Sequence, residues 1–102
     1  MQYRIEWLMS AVNELERVRS NLEERGAYEA GQRVAIQIYD SVSRLCDMPR
    51  RFPQFYDTDL RRMIVGDYSV FYKIDEQKTL VKIVNIRHHY EDISDLLDMS
   101  NC

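Results

Sequence analysis

Hydrophobic residues along this chain follow a period of two, then one near 3.6, then two again. Tyr3, Ile5 and Trp7 alternate with Arg4 and Glu6, as in a half-buried strand, and predict a strand over residues 2–7. Val12, Leu15, Val18 and Leu22 then recur at helical spacing, with Glu14, Glu16, Arg17 and Arg19 on the other faces. Ser10 is placed to cap this helix, because its side-chain oxygen can accept a free N–H of the first turn. Gly26 is a natural stop, which bounds the helix at 10–25. A second stripe of Val34, Ile38, Val42 and Leu45, with Ala30, Ala35 and Tyr39 beside it, predicts a helix over 28–46. The short break between the two makes them an antiparallel hairpin.

Pro49 and Pro53 forbid continuation of that helix, so Met48 to Asp57 reads as a connector bearing Arg50, Arg51, Phe52 and Phe55. Runs rich in β-branched and aromatic residues then predict strands over 58–66, 68–75 and 79–88. Gly66-Asp67 supplies a two-residue hairpin turn, since Gly66 can take a positive φ. In the middle strand Tyr68, Val70, Tyr72 and Ile74 share one face, and Ser69, Phe71, Lys73 and Asp75 the other. In the last strand Leu80, Lys82, Val84 and Ile86 fall on one side, with Val81 and Ile83 opposite. Residues 91–98, with Ile93, Leu96 and Leu97 apolar, predict a short terminal helix.

The order β-α-α-β-β-β, with that short C-terminal helix, predicts an α+β fold in a single domain, 1–102. A helix hairpin packs on one face of a small antiparallel sheet. Two helices cover only one face, so the other is expected to stay partly open. Function is sought there.

The 102 residues, 45% apolar and 11% aromatic, suffice for one modest core. No apolar run approaches the roughly eighteen residues of a membrane span, and the N-terminus lacks the basic-then-apolar order of a signal peptide. Cys46 and Cys102 are too few for a disulfide framework. A cytoplasmic, reduced protein with no membrane contact is expected. A net charge of −3 argues against a dedicated nucleic-acid binder. Residues 49–66 depart from it, with Arg50, Arg51, Arg61 and Arg62 against Asp57 and Asp59. Eleven of the fourteen basic residues are arginine, the side chain suited to bidentate contact with phosphate or carboxylate. Solvated surface charge is the plain alternative for each.

Several stretches in this order resemble the RelE/ParE superfamily of toxins from type II toxin–antitoxin systems (plasmid stabilisation type). They are Tyr3-Arg4-Ile5-Glu6-Trp7 running into Ala11-Val12-Asn13-Glu14-Leu15, and the Leu45-x-x-x-Pro49 end of the hairpin. The arginine strand leading into Gly66-Asp67-Tyr68-Ser69-Val70-Phe71-Tyr72-Lys73-Ile74-Asp75 carries most weight, followed by Ile83 to Ile93. The resemblance implies a growth inhibitor neutralised by a cognate antitoxin, which wraps it with a helix and an extended segment. A homodimer or a heterotetramer with antitoxin is the assembly it suggests. One branch of the superfamily cleaves mRNA, usually on the ribosome. Another poisons DNA gyrase without being a nuclease. A third outcome is an inactive relative that survives as a partner-binding module.

The nuclease branch needs no protein nucleophile, because the RNA 2′-hydroxyl attacks the adjacent phosphate. Positioned acid–base groups supply roughly 10²–10⁴-fold, and cationic donors stabilise the developing charge. His88 and His89 are the acid–base candidates, being the groups that titrate near neutrality. On an extended strand they point to opposite faces. The Arg-x-His-Tyr ending of some members favours His89, with Tyr90 as a stacking or phosphate contact; the Ile86-x-His88-x-x-x-Asp92-Ile93 register favours His88. Arg61 and Arg62 also alternate faces, so one of them is a candidate phosphate clamp while the other is left to solvent or to an antitoxin carboxylate. Arg87, Arg50 and Arg51 are further substrate contacts. Tyr72, with Tyr68, Phe71, Phe52 and Phe55, offers a ring for base stacking, although core or antitoxin-groove packing is the more ordinary use of such rings. No cofactor is implied, and no metal, since adjacent histidines without a third ligand lack chelate geometry. Ser69 stands where several RNA-cleaving relatives have arginine, and the isoelectric point is about 5.3. Both features lean toward the gyrase branch, but the histidine pair, with Arg61 or Arg62 and Tyr90, sets the expectation at a metal-independent mRNA endonuclease, the gyrase inhibitor and the inactive relative being the alternatives.

Overall fold

The computed structural model describes residues 2–98. Its elements run β1 (Arg4–Trp7), α1 (Met9–Glu24), α2 (Tyr28–Ser43) continued by a 3-10 turn (Arg44–Cys46), β2 (Arg61–Val65), β3 (Tyr68–Asp75), β4 (Leu80–His88) and α3 (Ser94–Asp98). The sheet order is β1-β4-β3-β2. β2, β3 and β4 form the expected antiparallel meander, and Val65 faces Tyr68 across the Gly66–Asp67 turn, with Gly66 at φ 59. β1 joins β4 in parallel, from Arg4 opposite Leu80 to Trp7 opposite Ile83, so the sheet is mixed rather than wholly antiparallel.

The helix hairpin closes as the sequence requires. Gly26 takes φ 78, and the N–H groups of Gly26 and Ala27 donate to the carbonyls of Glu23 and Leu22 at 3.0 and 2.9 Å. That pair of bonds is the Schellman arrangement that satisfies the last carbonyls of a helix. Gly31 lets α2 approach α1, since a Cβ there would meet the Arg19 carbonyl at 3.0 Å. The hairpin's apolar stripes, with Ala11, Ile38, Val42 and Leu45 fully buried, pack on Met63, Val70, Tyr72, Val81, Ile83 and Ile86 of the sheet.

Ser10 does not cap α1. The flanking position is Leu8, and the Ser10 hydroxyl instead donates to the Val84 carbonyl at 2.6 Å, tying the helix to β4. Val84 is also where the strand breaks step. Pairing jumps from Phe71 opposite Asn85 to Tyr72 opposite Ile83, so β4 carries one residue more than β3 at that point. Such a bulge reverses the alternation beyond it. Ile86 therefore joins Val81 and Ile83 under the helices, whereas strict alternation had placed it opposite them.

The second sheet face is not the open surface that two helices should leave. Phe55 and Leu60 of the connector and Leu96 of α3 fold over it and bury Phe71 and Val84, with Leu8 and Ile93 at the margin. The count of helices misled because a proline-rich connector and a one-turn helix supply cover without any helical stripe of their own.

Candidate functional site

β4 ends at His88, which stands opposite Tyr68 on the helix-covered face, the two rings edge to face at 5.1 Å. The chain then turns. His89 donates its backbone N–H to the Asp67 carbonyl at 3.0 Å, and its Nδ1 lies 2.9 Å from the same oxygen. Leaving the strand removes the alternation that would send the two histidines apart. Their rings stack at 4.7 Å and 20°, and Tyr90 closes on both at 5.1 and 4.0 Å. The expectation that they point to opposite faces is thus corrected. The Tyr90 N–H donates to His88 Nδ1 at 3.2 Å, which leaves the proton of a neutral ring on Nε2.

Charged groups of both signs flank this cluster. Glu91 accepts the His88 backbone N–H at 3.1 Å and pairs with Arg17 of α1 at 3.3 Å. A hollow of about 430 Å³ opens beside His88, walled by Arg17, Asn21 and Arg25 on one side and by Asp67 and Glu91 on the other. Burial, with Asp67 and Glu91 adding to it, pushes the Tyr68 hydroxyl above the usual phenol pKa. The hollow escaped the sequence reading. Arg17, Asn21 and Arg25 recur every four residues, the one signal that could have placed them on a common helix face.

The sequence-selected arginines lie elsewhere. Arg62 and Arg87 share the second sheet face, either side of buried Ser69. Arg62 Nε donates to Ser69 Oγ at 2.8 Å, and its guanidinium sits 5.8 Å above the Phe71 ring. Arg87 holds Asp95 through two bonds of 3.1 and 2.9 Å and also donates to the Asp92 carbonyl at 3.1 Å. That pair raises the Arg87 pKa and holds Asp95 below the usual carboxylate range. Arg61 points to the first face and donates to the carbonyls of Phe52 and Arg50 at 2.7 and 3.3 Å. Arg50 reaches Glu76 and the Tyr3 hydroxyl, and Arg51 lies over Phe52. Tyr72, expected as a substrate contact, is fully buried and gives its hydroxyl to the Pro49 carbonyl at 2.6 Å. It has no surface left to offer. The fold therefore unites His88, His89 and Tyr90, unites Arg62 with Arg87, and sends Arg61 and Tyr72 to the connector. Among the described residues no three His, Cys, Asp or Glu side chains are grouped to hold a metal ion, and no helix is long and apolar enough to cross a membrane.

The Arg87–Asp95 pair makes the docking of α3 sensitive to acid. A carboxyl whose folded pKa is depressed stabilises the fold above its unfolded pKa, and that contribution is lost as pH falls through the folded value. Hydrogen exchange at the Leu96 amide is expected to accelerate, beyond its intrinsic pH trend, as pH drops below about 4. Asp95→Asn should remove that pH dependence. Equal Leu96 protection at pH 6 and pH 3 in the unmodified chain would count against the pair as the clasp.

Residues 5–93 match the family described as ParE toxin of type II toxin–antitoxin system, parDE. Solved structures match in fold. The chromosomal ParDE toxin–antitoxin system of P. aeruginosa aligns with a TM-score of 0.76 at 12% identity, covering 85% of this chain and 96% of that one. A mutant E. coli RelE toxin in the free state aligns with a TM-score of 0.70 at 13% identity, covering 99% and 96%. The RelBE2 toxin–antitoxin complex of Mycobacterium tuberculosis aligns with a TM-score of 0.67 at 18% identity, covering 89% and 95%. A search of curated protein sequences gave no match.

Proposed function

The chain belongs to the ParE toxin family of type II toxin–antitoxin systems, and on that footing we propose that it arrests growth as a non-enzymatic inhibitor of DNA gyrase. It acts by protein–protein contact and is held inactive by a cognate antitoxin. One observation carries the choice between branches: the strand arginines expected to clamp phosphate, Arg61, Arg62 and Arg87, stand apart from the imidazoles. Arg61 is spent on backbone carbonyls, Arg87 is clasped by Asp95, and Arg62 lies on the second face against Ser69 and Phe71. The hollow beside His88 holds Asp67 and Glu91 on one side and Arg17, already paired to Glu91, and Arg25 on the other. Carboxylates and guanidinium groups balance one another in that hollow, unlike the preorganised cationic clamp that stabilises an oxyanion.

The experiment combines three readouts on induced and purified toxin. Supercoiling by DNA gyrase should be inhibited and the DNA-damage response induced. The variants His88→Ala and His89→Ala should retain growth arrest within about twofold, the scale of exposed substitutions away from a contact surface. The competing reading, an mRNA endonuclease, would rest on the stacked His88, His89 and Tyr90 as acid–base and base-stacking groups. Cleaved mRNA accompanying arrest, lost together with arrest in the histidine variants, would establish that reading and overturn the gyrase one.

A further inference from the structure

We propose that the toxin grips its protein target through the connector tip that displays Tyr56, with Ile64 and Arg62 beside it. The partner surface it fits is an apolar socket with an acidic rim. The inference rests on the protein-target reading above and deepens it. Tyr56 is 72% exposed, yet its backbone lies in the left-handed region at φ 50. A bulky aromatic rarely adopts that conformation, and where one persists the surroundings over-determine it.

Here they do. The buried Thr58 donates its hydroxyl to the Phe55 carbonyl at 2.6 Å and accepts the Leu60 N–H at 3.0 Å. Phe55 donates its own N–H to the Leu60 carbonyl at 2.8 Å, and Gln54 Nε2 donates to the Thr58 carbonyl at 2.5 Å. The Tyr56 ring leans edge-on against the buried Phe55 at 4.9 Å. Glycine or asparagine would hold this turn with less strain. A loop braced by these bonds that keeps a strained tyrosine in solvent is built to present that ring.

Beside the tip is a hollow of about 570 Å³ whose wall includes Ile64 and Arg62. Ile64 is 66% exposed on the edge strand β2, and the hairpin register turns its N–H and C=O away from β3. Charge selects the partner. Arg62 is the charged residue in the wall of that hollow, which Asp57 and Asp59 do not join, and among the described residues it is paired with no carboxylate. A guanidinium without a carboxylate partner beside an exposed aromatic and an isoleucine matches the composition of protein-binding hot spots, where Tyr and Arg dominate. A rigid, projecting ring suits a preformed socket on a folded partner, because little ordering is left to be done on binding.

The test uses the full chain, free and with its antitoxin. Tyr56→Gly removes the ring and relaxes the positive φ, so the thermal midpoint should hold or rise. Growth arrest and inhibition of purified gyrase should nevertheless fall about tenfold or more, while antitoxin affinity stays within about twofold. Ile64→Asp should repeat that pattern, and Tyr28→Ala, another exposed ring, on α2, should leave arrest unchanged. Undiminished arrest in Tyr56→Gly and Ile64→Asp overturns the proposal. So does a parallel loss of antitoxin affinity, which would give the tip to the antitoxin. Should the unmodified toxin leave purified gyrase untouched, the gyrase reading falls, and the growth-arrest series still decides whether this tip is the gripping surface.

Discussion

Phe71→Ala is expected to destabilise the free toxin by about 3–5 kcal/mol, the usual cost of truncating a buried aromatic. Phe71 is fully buried at the centre of β3, on the face turned away from the helix hairpin. Its ring meets Phe55 edge to face at 4.9 Å and lies under the Arg62 guanidinium, with Leu60, Val84 and Leu96 completing the cluster. Truncation opens a cavity that these partners cannot readily close, because Phe55 and Leu60 are fixed by the Thr58 bonds and Leu96 by the Arg87–Asp95 clasp. Urea unfolding followed by circular dichroism gives the measurement, with Tyr90→Ala, 84% exposed, as a control expected within about 0.5 kcal/mol. A loss below about 1 kcal/mol for Phe71→Ala would mean that this face is not a true second core.

That second core marks the limit of what the sequence could reveal. Strands, turn and helix hairpin were legible because each is written locally, in period-two runs, in Gly66 and in the stripes ending at Gly26. The bulge was not. Val84-Asn85 carries no glycine or other local mark, and the extra residue appears only when β4 is set against β3. Phe55, Leu60 and Leu96 gave no period either, since each sits in a stretch too short to have one, and their burial depends on the chain folding back across the sheet.

The candidate site divides the same way. The residue types near neutral pH and the arginine run were plain in the sequence, but their partners are distant in the chain. Arg61 is bound by carbonyls nine and eleven residues away, and Asp67 reaches His89 across the meander. The second sheet face is a core rather than a bare surface, and the family assignment rests on the match over residues 5–93.

Tyr72→Ala should cost a similar 3–5 kcal/mol or more, for a different reason on the opposite face. Tyr72 is fully buried beneath the helices, and its hydroxyl serves the Pro49 carbonyl, which the 3-10 turn and the connector also enclose. Burial pushes its pKa upward, so ionisation is resisted in the folded state. The phenol thus contributes stability that is intact below its unfolded pKa of about 10 and is lost as pH rises above it. Tyr72→Phe separates packing from bonding: it keeps the ring and strands the Pro49 carbonyl, at about 1–3 kcal/mol. That variant should unfold at lower urea yet arrest growth at full strength below its melting point, and its alkaline destabilisation should diminish. Loss of arrest in Tyr72→Phe at unchanged stability would instead return this hydroxyl to a contact with substrate or target, against the burial that now removes it from any surface.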